Sequence, residues 1–324
     1  MKKTLPSLLL IASSLFAHHG VPSLSVAGVE GPGAPLETTS STTLPEDSFL
    51  FYAKLDHTKY TTYTPMRDGE GERSEYFIYG LGYGFDSAFS AYIFVPYYTK
   101  AQDDAFITSD FHDISIQGVL GFKFDEGFRL TPKSESLDDM EDWHFAASLN
   151  ITLPTGNANK TDATGALIDP GMQSGFGKPS FMADLSATKW FGNEFTFVSD
   201  ISYNTFVENR YFDGTTMKFG DEIRLNAAIA YKVFGNAEKK VRLDLNFEAN
   251  YLYLGRDVEN GVAATATGGE ILYLTPSARL FYKSSSLAFG LKLPSWTQLN
   301  EADQQQGAEG KEKYRAIITF SSLF

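Results

Sequence analysis

Arg224, Arg242, Asp244 and Glu248 occupy even-numbered positions in two neighbouring stretches whose odd-numbered positions are mostly apolar. On extended backbone, residues of one parity point to one face. The four are therefore placed to form a paired ladder across adjacent strands. Glu222 shares the stretch of Arg224, and Lys54, Asp56, Arg279 and Arg315 follow the same rule in other stretches. Both signs occur in comparable number, so a simple anion or cation pore is not expected. Two readings stay open: a constriction that orients a solute, or charges that neutralise one another in a narrow interior.

Other residue types with chemical capacity are fewer. His18 and His19 are adjacent and follow an apolar leader. With a free amine they would suit Cu(II), which favours imidazole nitrogen; otherwise they are a polar start to the mature chain. No cofactor is expected. A hydrolase would need a nucleophile and a base in hydrogen-bond reach. His144 and Ser148 share a face, but four residues of strand separate them by about 13 Å. No enzymatic activity is expected. The acidic pairs Asp103-Asp104 and Asp138-Asp139 lack the spacing of a calcium loop and read as solvated charge. Gly80, Gly82 and Gly84 alternate and face inward, leaving space there; no helix follows them, so they are not a nucleotide loop.

The elements that must position these groups are strands. From Val241 to Tyr253, Val241, Leu243, Leu245, Phe247, Ala249, Tyr251 and Tyr253 alternate with Arg242, Asp244, Asn246, Glu248 and Asn250. Similar alternation marks 49–59, 75–85, 113–124, 143–153, 180–190, 194–207, 219–233, 270–283, 286–295 and 314–324. Residues 87–98 are apolar on both parities, so their faces cannot be assigned. The pattern predicts an all-β chain, a transmembrane up-and-down antiparallel β-barrel of about 12 strands. Lipid outside requires one apolar parity, and the lumen accepts the polar one. Pro276 lies inside a strand and predicts a bulge.

Connections at 60–74, 99–112, 154–179, 208–218, 255–269 and 296–313 are long and polar and read as extracellular loops, whereas the intervening turns are short. The exception is 125–142, too long for a simple periplasmic turn. Aromatics gather near strand ends, among them Phe85, Phe89, Trp143, Trp190, Phe195 and Phe234, as in an interfacial girdle.

Composition agrees. Phe (27) and Tyr (17) are abundant, and the formal charge of −13 argues against a nucleic-acid partner. Zero Cys excludes disulfides and thiolate metal sites. Lys2 and Lys3 followed by the apolar run Leu5 to Phe16 read as a cleaved N-terminal signal peptide over 1–17. Residues 18–47, rich in Gly, Pro, Ser and Thr, form either a periplasmic lead or a lumenal plug, ahead of a barrel over 48–324. The stretch ending at Phe324 keeps Tyr314, Ala316, Ile318 and Phe320 on one parity. It resembles the C-terminal signature recognised by the barrel-assembly machinery, with Ser322 as a departure.

The Gly/Pro-rich entry Val26 to Pro45, Leu153-Pro154-Thr155-Gly156, and Gly175 to Ser180 (GFGKPS) resemble the outer-membrane barrels labelled as transporters of the MetA-pathway of phenol degradation. The resemblance implies a bacterial outer-membrane channel or transporter, set in outer-membrane lipid, that passes small, hydrophobic or aromatic solutes. The loop over 157–177 lacks a Trp, and no functional residue carries over. The alternative is a barrel without net transport, adhesin-like or a copper-linked surface protein.

Overall fold

The computed structural model describes residues 34–61, 73–102, 106–124, 127–133, 142–192, 194–305 and 309–324. His18 and His19, the leader over 1–17, and the start of the 18–47 stretch lie outside these residues.

Twelve antiparallel strands close into a barrel. They are β1 (Phe49–Tyr60), β2 (Arg73–Gly84), β3 (Phe89–Gln102), β4 (Ile114–Phe124), β5 (His144–Leu153) and β6 (Ser180–Phe191), followed by β7 (Phe195–Phe206), β8 (Glu222–Asn236), β9 (Val241–Leu254), β10 (Gly269–Tyr282), β11 (Ser285–Leu299) and β12 (Glu312–Leu323). Each pairs with its neighbour in sequence, and β12 returns to β1, with Leu50 opposite Leu323 and Lys59 opposite Tyr314. The Phe49 N–H donates to the Phe324 carbonyl (2.8 Å), and the Phe324 N–H donates back (2.9 Å). A closed ring leaves no strand edge, which is what a hydrocarbon surround demands of a sheet.

Alternation decides which face is which. On β9, Asp244, Asn246, Glu248 and Asn250 are buried, whereas Leu245, Phe247 and Tyr253 are exposed on the outside. The same inversion of a water-soluble core runs round the wall: Leu81, Ile93, Leu149, Leu185, Ile201, Leu225 and Leu287 are all outward and exposed. At the short-turn end, rings form a belt. Phe85 lies 5.4 Å from Phe89 and Phe195 lies 5.0 Å from Tyr231 between ring centroids, and Lys189 sits over the Trp143 ring. Rings with a cation beside them suit the headgroup layer.

Some connections depart from expectation. Residues 99–112 are not a free loop. β3 continues to Gln102 and pairs with Phe106–Phe111, Thr99 opposite Ser109. The long connection 125–142 begins with Phe128–Leu130, which folds back on β4, Phe124 opposite Phe128. The 208–218 and 255–269 loops carry four short strands, Asn209–Arg210, Thr216–Lys218, Val258–Glu259 and Val262–Ala263, in one small sheet. Pro276 does not mark a bulge. The partners across β10 and β11 pass from Leu274–Leu293 to Ser277–Gly290 without a slip, and the irregularity falls at Leu272/Tyr273. A missing N–H removes ladder bonds without changing register.

Candidate functional site: a lumenal arch and the wall that holds it

Residues 34–45 have no strand partner and run inside the barrel, where Ala34, Leu36, Glu37, Thr38, Thr39, Ser40, Ser41 and Leu44 are buried. Backbone groups removed from water need partners, and the wall supplies them. Arg279 donates through Nε to the Ala34 carbonyl (3.0 Å) and through Nη2 to the Pro35 carbonyl (3.3 Å). Glu248 accepts the amides of Leu36 (2.6 Å), Glu37 (3.0 Å) and Thr38 (2.9 Å). Asp200 accepts the Thr39 amide (2.7 Å). The chain then passes Thr188, which takes the Ser41 amide at 3.1 Å, and Ser90, which takes the Leu44 amide at 2.8 Å. It turns into β1 at Asp47, whose φ of 57° is left-handed.

Gly84 makes that last turn possible. A Cβ there would stand 2.1 Å from the Pro45 carbonyl oxygen. The space that Gly80 and Gly82 leave is filled as well. Their missing Cβ atoms would meet the rings of Phe94 (2.8 Å) and Tyr92 (2.5 Å).

The charged residues all lie on the inward face, in separate arrangements. Glu37 of the arch accepts from Lys54 (2.6 Å) and Lys292 (2.5 Å) at once. Lys54 also lies 3.6 Å from Asp56. Arg224 pairs with Glu222 (2.9 Å) and Arg242 with Asp244 (2.6 Å), each two residues along its own strand. The expected ladder across strands does not form, because the register sets Arg224 opposite Leu252, Arg242 opposite Gly235, Asp244 opposite Lys232 and Glu248 opposite Ala228. Arg315 is held by Glu312 (2.7 Å) and Glu309 (3.3 Å).

One wall of the lumen is apolar, and the sequence pattern gave no reason to single out its members. Tyr52, Tyr76, Ile78, Tyr92, Phe94 and Tyr98 are buried together on β1–β3. Tyr76 and Tyr98 meet edge to face at 4.9 Å. The signal was the double apolar parity over 87–98: one face meets lipid and the other this cluster.

The long-loop end is covered by 154–179. Asp113 accepts the amides of Gly156 and Phe176, both at 2.7 Å, which pulls the loop over the mouth. The Phe176 ring then stands 5.1 Å from His112 and 5.0 Å from Phe206. Farther along, the Asp169 carboxylate caps a short 3₁₀ turn through the Gly171 amide (2.7 Å). Burial pushes this carboxyl up to about 7. Between loop and arch a cavity of only about 40 Å³ remains, bordered by Thr39, Asn150, Asp184, Asp200 and Phe176. That holds a few waters at most. At the short-turn end a wider recess of about 590 Å³ is lined by Lys232, Lys240, Arg242 and Lys283.

A family model described as "Putative MetA-pathway of phenol degradation" matches residues 81–308. The chain belongs to this family. Among solved structures, an outer membrane channel from Pseudomonas putida superposes with a TM-score of 0.66 at 13% identity, covering 88% of this chain and 98% of that one. The β-domain of the Bordetella autotransporter BrkA gives 0.47 at 7% identity, covering 86% and 100%, and the NanC porin 0.44 at 6%, covering 85% and 98%. No curated protein matches in sequence. This family member shares the barrel fold of an outer-membrane channel, and its apolar outer belt places it in the outer membrane.

Proposed function

We propose that the barrel is a gated outer-membrane channel for small hydrophobic or aromatic solutes. The observation that carries this reading is the pairing of an aromatic lumenal wall, Tyr52, Tyr76, Tyr92, Phe94 and Tyr98, with an arch held by side chains rather than by strand pairing. Apolar solutes favour concave aromatic surfaces with a few fixed polar groups. With the arch lodged, the cavity of about 40 Å³ between arch and loop is too small for a ring, so passage at that point requires the arch to shift. Lys54, Asp56, Glu222, Arg224, Arg242, Asp244, Glu248, Arg279 and Arg315 are then the polar side of the route, and Glu248 and Arg279 hold the gate. Recognition of Phe324 by the barrel-assembly machinery belongs to the same reading.

The filled lumen favours a second reading, a barrel without net transport. Planar-bilayer conductance and uptake of aromatic solutes by proteoliposomes separate the two. A channel gives rare, discrete openings and solute-dependent uptake. Correctly folded protein that gives neither overturns the proposal.

A further inference from the structure

Glu37 occupies a position that a solute would suit. It sits on the arch, not on the wall, and its carboxylate lies between two buried ammonium groups of the wall, Lys54 and Lys292. Next to it on the chain, Leu36 fills an apolar notch formed by Ala288, Gly290 and Ile317. The notch is shaped to that side chain: a Cβ on Gly290 would lie 2.4 Å from Leu36 Cδ1. Lys292 Nζ is also 4.5 Å from the centre of the Tyr273 ring, and Tyr52, beside Lys54 on β1, meets Phe94 edge to face. An apolar body and a carboxylate are thus presented together, in a lumen, on a segment that has no strand partner.

We propose that the Leu36–Glu37 position is a binding site for a small apolar carboxylate, which displaces the arch by taking the place of the Glu37 side chain between Lys54 and Lys292. The proposal rests on the channel reading and narrows its solute class. A wall that needed permanent neutralisation would carry its acid on a strand, as Asp244 does for Arg242. Among the described residues the wall acid paired with these lysines is Asp56, 3.6 Å from Lys54, so departure of Glu37 leaves two ammonium groups facing one carboxylate. Arg315 stays with Glu312 and Glu309. Ammonium–carboxylate bonds strengthen out of water, so a carboxylate ligand gains more there than a neutral one. The basic recess of Lys232, Lys240, Arg242 and Lys283 continues the same preference at the short-turn mouth.

The test titrates benzoate, and benzamide as its neutral counterpart, into the folded full-length protein in detergent by calorimetry. Glu37→Ala removes the carboxylate that competes for Lys54 and Lys292, and the variant is expected to bind benzoate more tightly than benzamide by about tenfold or more. Adding Lys292→Gln removes that preference. Equal binding of the two probes by folded E37A overturns the proposal. A second measurement does not depend on E37A folding. The chain has no cysteine, so Ser40→Cys gives a single thiol on the arch. Benzoate accelerates its maleimide labelling and benzamide does not; equal rates with both overturn the proposal. Binding in detergent needs no flux, so the two readings fail separately. Selective benzoate binding without uptake removes the channel reading alone, and uptake without carboxylate preference removes this one alone.

Discussion

Glu248 accepts both the amide and the hydroxyl of Thr38, each at 2.9 Å. With the amides of Leu36 and Glu37 on the same carboxylate, one wall residue fixes three consecutive arch residues. Hydrogen bonds to a charged acceptor contribute about 1.5–3 kcal/mol each, and water recovers part of that when the acceptor is lost. Glu248→Ala should therefore loosen the arch by about 3 kcal/mol, roughly a hundredfold in its release. Planar-bilayer recording is expected to show far more frequent openings than in the unmodified protein. An unchanged trace would mean that the arch does not gate.

The loop over 154–179 should respond to pH through Asp169. Its carboxyl is raised by burial to about 7 in the folded loop, above the usual range that it regains when the loop opens. In that window the docked loop binds more protons than the open one. Docking is therefore strongest below the ordinary carboxylate range and weakens as pH rises through about 7. Limited proteolysis of the loop should be faster at pH 8 than at pH 5, and Asp169→Asn should flatten the difference. A D169N variant with the original pH profile would exclude this residue as the cause.

Phe324 should matter for closure as well as for recognition. Its backbone exchanges two hydrogen bonds with Phe49, and its ring stacks on the Phe49 ring at 6.3 Å. Phe324→Ala keeps the backbone bonds and removes the ring. The heat-modifiable, folded form recovered from outer membranes is expected to drop several-fold, while refolding in detergent is slowed far less. Equal yields in cells would argue that assembly ignores this side chain.

The barrel was legible because lipid imposes a strict rule on every strand. Val241 to Tyr253 shows it plainly: no charge stands at an odd position, and the structure turns every charge inward. The rule says which way Glu248 points but not what it touches. Its partners are the backbone amides of residues more than 200 positions away, and amides carry no sequence signature. Glu37 was hidden for a related reason, as the one acid in the small and hydroxyl-rich run from 34 to 45. The aromatic wall was hidden differently. On β3, Tyr92 and Phe94 face the lumen while Ile93 and Val95 alternate with them, so apolar residues on both faces erased the contrast that parity needs. The extension of β3 past the membrane escaped because Lys100 and Gln102 look like loop residues, although their backbone still pairs.

The arch leads straight into β1, and β1 is also the strand against which β12 completes the ring. During biogenesis the two events are consequently bound together. While that seam is open, Glu248 and Arg279 line an unroofed polar trough, and the incoming chain can be laid into it sideways. Once the seam has zipped, the same chain could enter only by threading lengthwise. Laying the stopper in before the cylinder shuts is therefore the route that needs no threading.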